Sequence, residues 1–289
     1  KLKNTAARFV IQMPTGSGKT RVAMEVICEF IKNYNQGVKI LWLAHQKELC
    51  AQSYDCFVEV WSHLNDRELT LYRLWNDGDI VSLPKNLAKN SFIIANFQKI
   101  YSELCRDENH YNNLKDIIDL IIIDEAHKAI APTYKFVTNA LASINTKIVG
   151  LTATPGRSIT DSESNRSLAV FFHSEIIEID PPKDKGVITY LKDLKVLSKA
   201  DYEPIHTEIN IELSKKQTEY IRENSKLPKS IISRLSNDTI RNFEILKKID
   251  NRLKNKPTSK IIFFGLDIKH SKFICAVLNT MGVKASHVD

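Results

Sequence analysis

Short apolar runs separated by helical stripes organise the first half of the chain. Residues 9–12, 39–44, 92–95, 117–123 and 147–151 predict strands, most of them too continuously apolar to keep a face in water. Between them Val22, Val26, Ile27, Phe30 and Ile31 recur at helical spacing, as Leu49, Ser53, Phe57 and Trp61 do more weakly. Strands alternating with helices predict an α/β fold, a mostly parallel sheet covered on both faces.

Beyond Pro155 the pattern changes. The Ser-rich segment 158–167 predicts a loop, and 174–179 a β-like run closed by Pro181 and Pro182. Residues 213–256 predict helices broken near Pro228 and Asn237, with Ile240, Phe243, Leu246 and Ile249 as their apolar stripe. A strand at 261–264, a helix at 271–281 and the opening of another strand at 285–289 complete the prediction. A boundary near 181–186 gives two domains, 1–182 and 183–289. One strand, one helix and part of a strand cannot close an α/β layer, so the second lobe is expected to be incomplete.

A length of 289 residues suits two domains, and a chain 43% hydrophobic and 26% charged is not mostly disordered. The longest aliphatic stretch, 120–123, is far short of the ~20 residues a bilayer span needs, and no basic-then-apolar leader opens the sequence. No membrane association is expected. Cys28, Cys50, Cys56, Cys105 and Cys275 are scattered without a CxxC pair, which predicts reduced thiols in a cytoplasm and argues against a zinc site. Charge is uneven: residues 183–260 hold 18 basic and 11 acidic side chains, whereas the remainder holds 23 of each. Such a local surplus suits a binder of phosphate backbones, or equally a solvated helical surface.

Three segments carry candidate chemistry. Met13-Pro-Thr-Gly-Ser-Gly-Lys-Thr20 lies between a predicted strand and a predicted helix, the context a phosphate-binding loop requires. The backbone of Thr15, Gly16, Ser17 and Gly18 would cradle phosphates, Lys19 would reach the β and γ phosphates, and Thr20 would offer its hydroxyl to Mg²⁺. Met13 stands where the strict pattern has its first glycine. Asp124-Glu-Ala-His127 closes the run 117–123, at the strand end where parallel sheets bind ligands. There Asp124 can hold Mg²⁺ and Glu125 can polarise an attacking water, although two adjacent acids could also be a helix N-terminal charge pair. Asp119, within the same run, marks a strand edge or start. Leu151-Thr-Ala-Thr-Pro155 places two hydroxyls at a third strand end, able to bond a carboxylate or His127 and relay the state of the phosphate site.

These three segments, in this order, resemble motifs I, II and III of superfamily 2 helicases and translocases, the DEAH-box branch in its broad sense. Trp42-Leu-Ala-His-Gln-Lys-Glu-Leu49 is similar to motif Ia, Ile94-Ala-Asn-Phe-Gln-Lys99 to motif Ib, and residues 261–270 to motif IV. Residues 150–157, Phe171-Phe172 and residues 190–194 resemble the motor subunits of type I and III restriction enzymes and related bacterial repair or defence helicases more than spliceosomal DEAH proteins.

The resemblance implies RecA-like P-loop lobes that use ATP and Mg²⁺ while gripping nucleic acid. Residues 1–182 would form a RecA-like ATP-binding lobe, and residues 183–289 a connector and an incomplete second RecA-like lobe. Glu125, Lys19 and Asp124 would be catalytic, Thr20 and Asp124 would hold the metal, and His127, Thr152 and Thr154 would couple hydrolysis to grip. By the same resemblance His45, Gln46, Asn96, Gln98 and Gly265 would lie along the nucleic-acid track, although His45 and Gln98 could equally be structural strand-end groups. The implied activity is a DNA helicase or double-stranded DNA translocase in restriction, phage defence or DNA repair. DNA is favoured over RNA, and there is room for a fused or associated nuclease or defence-complex subunit. An RNA helicase, or a nucleotide-gated clamp that recruits an effector, are the alternatives. The adenine-reading Q motif and motifs V and VI are not matched, and neither Arg157 nor Arg241 corresponds to an arginine finger. Since such a finger contributes ~10³ to 10⁵ in rate, these 289 residues alone are expected to hydrolyse ATP barely.

Overall fold

The computed structural model describes residues 7–34, 36–64, 67–76, 87–107, 111–154, 162–205, 207, 211–224 and 226–288. They form two compact units, Lys1–Lys199 and Ala200–Asp289.

The first unit alternates strands and helices in the order β1 (Arg8–Gln12), α1 (Lys19–Asn33), β2 (Lys39–Ala44), α2 (Lys47–Leu64), β3 (Thr70–Leu74), β4 (Ser91–Asn96), α3 (Phe97–Arg106), the short α4 (Asn112–Lys115), β5 (Leu120–Asp124), α5 (Pro132–Leu141), β6 (Lys147–Thr152), α6 (Ser162–Phe171), β7 (Ile176–Glu178) and α7 (Val187–Asp193). The strands make one sheet in the order β3-β4-β2-β5-β6-β1-β7, every pair parallel. Side chains alternate across it, as the two-residue strand period requires. Phe9, Ile40, Trp42, Ile94, Ile122 and Val149 pack with Met24, Ile27, Phe57 and Val60 of α1 and α2. Val10, Leu41, Leu43, Ile93, Ile121 and Ile123 pack with Ile100, Leu104, Val137, Leu141 and Leu168 on the opposite face. The expected α/β architecture is therefore present in this unit.

Gly150 shows how closely the second layer approaches. A Cβ there would sit 2.6 Å from the Ala126 Cβ and 2.7 Å from the Phe172 ring. Gly150→Val is expected to destabilise the unit by about 1–3 kcal/mol through overpacking, read as a lower denaturation midpoint. A midpoint equal to that of the wild type would show that the neighbours yield freely.

Several expectations are corrected. The strand predicted at 117–123 begins at Leu120, because the N–H groups of Ile117 and Ile118 still close turns on the Leu114 carbonyl. Asp119 sits at its start, accepting the Lys39 N–H at 2.8 Å, at the opposite end from the candidate chemistry. β3 was not foreseen; it is an edge strand with only Tyr72 and Leu74 buried. Part of the predicted loop 158–167 is helical from Ser162, since Leu168 and Phe172 reach the core, while 158–161 lie outside the described residues. The stripe of α1 is rotated: Val22 and Val26 are 37% and 39% exposed, and Ala23 and Met24 are buried instead.

The units divide at Lys199–Ala200, later than the 182/183 boundary. The intervening chain is held in the first unit. Leu191 of α7 is buried, Leu197 N–H bonds to its carbonyl, and the Leu197 side chain lies 3.6 Å from the position of a Cβ on Gly16.

The second unit holds α8 (Lys215–Asn224), α9 (Lys229–Ser236), α10 (Thr239–Asn255) and α11 (Ile268–Thr280). Its core is Ile245, Leu246, Ile249, Ile274 and Leu278, so the buried stripe includes Ile245, whereas the predicted Ile240 and Phe243 are exposed. Residues 261–264 and 285–288 form no strand among the described residues. Neither segment has a ladder partner, and Ile262 and Phe264 are 79% and 86% exposed.

Candidate functional site

Three neighbouring strands, in the spatial order β5-β6-β1, bring their C-terminal ends to one edge of the sheet. This is where parallel sheets place ligand chemistry.

β1 leads into the loop before α1. Gly16 and Gly18 adopt φ of 77° and 88°, a left-handed backbone that glycine adopts at little cost. The loop closes on the Pro14 carbonyl, which accepts from the Ser17 N–H at 3.1 Å, the Ser17 hydroxyl at 2.6 Å and the Lys19 ammonium at 3.4 Å. α1 starts without a side-chain cap or an acidic residue in its first turn. Its leading N–H groups and macrodipole are therefore available to an anion. Thr15, Gly16 and Gly18 are exposed, and Lys19 and Thr20 half-buried. The residues expected to cradle phosphate are brought together.

β5 ends on Asp124, whose carboxylate is buried. Burial pushes its pKa up to about 6, further raised by Glu125 and opposed by the Glu125 N–H at 3.0 Å and by Lys19 and Lys128. A buried carboxylate with so little compensating charge is a ready ligand for a cation. In the metal-free protein the unfolded chain loses this proton near pH 4 and the folded chain near pH 6. Stability therefore falls as pH rises through that window, and Asp124→Asn should recover on the order of 2–3 kcal/mol at neutral pH but little near pH 4. Chemical denaturation at the two pH values checks this; an equal effect at both would deny the burial penalty.

Glu125 adopts a left-handed φ of 55°, unusual for a residue with a side chain, and starts a 3₁₀ turn over Ala126–Lys128. His127 Nδ1 lies 3.2 Å from Glu125 Oε2 and 3.3 Å from the Thr152 hydroxyl. That hydroxyl donates to the Thr154 carbonyl at 3.0 Å and lies 3.2 Å from the Thr154 N–H. The fully buried Thr152 also receives the Met13 N–H on its carbonyl at 3.1 Å. Glu125, His127, Thr152 and Thr154 thus form one connected chain, tied by backbone to the glycine loop.

The strand ends of β2 and β4 carry the remaining candidates of this unit. Gln46 and Gln98 are exposed and His45 half-buried. Asn96 is instead buried, and its side chain is committed: the amide donates to the His45 carbonyl at 3.1 Å while Oδ1 caps α3 at the Lys99 N–H. Gly265 belongs to the second unit, just before the Asp267 cap of α11. Arg157 lies outside the described residues.

Tyr134 and Phe97 were not singled out in the sequence. Their rings stack with centroids 3.6 Å apart, and the Tyr134 hydroxyl is 3.2 Å from His45 Nδ1. No short motif marks Tyr134; its position ten residues after Asp124, on the first buried turn of a helix, was the available signal.

A family model described as type III restriction enzyme, res subunit, matches residues 1–157. A protein of Sulfolobus islandicus filamentous virus (isolate Iceland/Hveragerdi) assigned as helicase 22 is 31% identical over 157 residues, covering 53% of this chain and 25% of the relative. A Saccharomyces cerevisiae protein assigned as the ATP-dependent helicase IRC3 is 24% identical over 297 residues, covering 99% of this chain and 38% of the relative. The ATP-dependent DNA helicase Hel308 of Methanococcus vannielii is 28% identical over 165 residues, covering 54% and 20%. The chain spans at most 38% of the length of these relatives.

Proposed function

Because the chain belongs to the type III restriction enzyme res-subunit family of superfamily 2 motors, we propose that it is the ATP-hydrolysing part of a DNA helicase or double-stranded DNA translocase. The observation that carries this reading is one sheet edge holding an uncapped helix N-terminus with Lys19, a buried Asp124, and Glu125 bonded to the His127–Thr152–Thr154 chain.

The residues fit ATP. The positive-φ glycines and free first turn of α1 suit a polyphosphate, with Lys19 exchanging its weak 3.4 Å bond to Pro14 for phosphate oxygens. They also fit Mg²⁺ in its usual protein setting. Among the described residues no cluster of three metal-ligating side chains exists, and Mg²⁺ typically takes one or two protein oxygens and fills its shell with phosphates and water. Asp124 and Thr20 would hold it, and its charge would neutralise that developing on the transferred phosphoryl group. Glu125 orients the attacking water and accepts its proton, and His127 keeps Glu125 in register with Thr152. A base has no use in a clamp that only switches, so Glu125 favours a motor over that alternative.

DNA is favoured over RNA because relatives such as Hel308 carry DNA helicase in their names. The family description makes a fused or associated nuclease or defence subunit a fitting partner. Buried thiols at Cys28 and Cys50 suit a reducing cytoplasm. No described helix is long and apolar enough to cross a membrane.

Comparing ATP turnover of the intact protein with duplex DNA, single-stranded DNA and RNA tests the reading. Duplex or single-stranded DNA should stimulate by at least about tenfold. Stimulation by RNA alone would make it an RNA helicase.

The basic surplus refines the expected track. Lys215, Lys216, Lys229 and Arg234 are exposed, whereas Lys247 and Lys248 pair with Glu244 and Glu203. Reversing the first four should reduce the salt slope of DNA binding by up to about 3–4 units. An unchanged slope would leave them as solvated surface.

A further inference from the structure

Tyr134 belongs to none of the sequence motifs, yet it joins three of them. It lies nine residues after Glu125 with 4% of its surface exposed. The backbone between is a run of tight turns. Lys128 N–H donates to the Glu125 carbonyl at 2.9 Å, Ala131 N–H to Lys128 at 3.0 Å, and Tyr134 N–H to Ala131 at 2.9 Å. The Tyr134 ring stacks on Phe97, the first residue of α3, at an interplanar angle of 8°. Its hydroxyl meets His45 Nδ1, and Asn96 closes the circuit through the His45 carbonyl. The loops after β2 and β4 are thereby held by each other and by one side chain from the helix that follows Glu125.

Which partner donates in the contact at His45 sets the tautomer of the imidazole. Burial and the nearby Lys128 ammonium hold the His45 pKa below its ordinary value, so the ring carries a single proton. Burial, Asp124 and Glu125 keep Tyr134 a phenol, able to donate. With the phenol as donor to Nδ1, the imidazole proton lies on Nε2.

We propose that Tyr134 is a positioning residue: it fixes the His45 ring as an Nε2–H donor for a backbone phosphate and ties that donor to Glu125, so that nucleotide state alters the grip on DNA. This rests on the reading of His45 as a nucleic-acid contact.

The test measures binding of labelled duplex DNA to the intact protein by anisotropy, with and without a non-hydrolysable ATP analogue. Tyr134→Phe keeps the ring stack and removes only the hydroxyl. The ratio of DNA affinities between the two nucleotide states should fall by at least about threefold toward one, while ATP affinity stays within about twofold. The ¹⁵N shifts of the His45 ring should lose their Nε2–H signature. In a His45→Ala background the same substitution should change the ratio by less than about twofold. A wild-type ratio of one, or independent multiplying effects of the two substitutions, would overturn the proposal. An unchanged ratio in Tyr134→Phe, with DNA binding weakened in His45→Ala, would overturn it and leave the reading of His45 standing. Unchanged DNA binding in His45→Ala would overturn that reading and the proposal together.

Discussion

Replacing Glu125 with glutamine is expected to lower ATP turnover by about 10²–10⁴-fold while ATP still binds. The amide keeps the length of the side chain and can still face His127 Nδ1, which lies 3.2 Å from the native carboxylate, but it cannot take a proton from water. Nothing in the glycine loop is touched, so the phosphates keep their cradle. Because Gln retains a Cβ, the left-handed φ of 55° costs the same in both proteins, and stability should hardly move. Single-turnover hydrolysis of bound ATP separates the two effects. Turnover above about a tenth of wild type would remove Glu125 from the role of base.

Lys19→Ala should act earlier, at binding. The ammonium has a weak 3.4 Å bond to the Pro14 carbonyl and the nearby Asp124 carboxylate to exchange for phosphate oxygens. Losing a charge-assisted contact of this kind should weaken Mg·ATP binding on the order of 10²-fold, measured by calorimetric titration. Lys19 also lowers the pKa of Asp124, so its loss should make that carboxylate easier to protonate and weaken the metal site as well. An unchanged affinity would mean that the polyphosphate does not lie on this loop. The contrast between the two variants, one binding without turning over and the other failing to bind, is the signature expected of an ATPase built this way.

The fold of the first unit was legible because its central strands are buried on both faces. β2, β4, β5 and β6 read as mostly apolar runs, and a strand with no solvent face has few other interpretations. β3 escaped because an edge strand buries only alternate residues, and Thr70-Leu-Tyr-Arg-Leu74 reads as ordinary surface. The exposed Val22 and Val26 show the limit of periodicity: spacing marks a helical face, but what packs against that face decides which residues of it are covered. The ladder expected at 261–264 failed for a related reason, since a strand needs a partner and the described residues supply none.

The candidate site was legible to the extent that its chemistry is local. Gly16, Gly18, Lys19 and Thr20 act through neighbouring backbone, and Asp124 and Glu125 through the end of one strand. Contacts between distant segments were harder. That Thr152 would serve both His127 and the Met13 N–H follows from the β1–β6 register, which places Gln12 beside Thr152. That Asn96 would be spent on a helix cap and on the His45 carbonyl required β2 and β4 to be neighbours. Tyr134 meets His45 across 89 positions, with no sequence pattern to announce it.

Hydrolysis at the β5-β6-β1 edge is proposed to drive movement along DNA. Displacement of a third strand from a DNA triplex by the intact protein tests it most directly. Displacement should require ATP, slow as the duplex track lengthens and vanish in Glu125→Gln. ATP consumption stimulated by DNA, with no displacement of the third strand and no separation of a duplex, would contradict it.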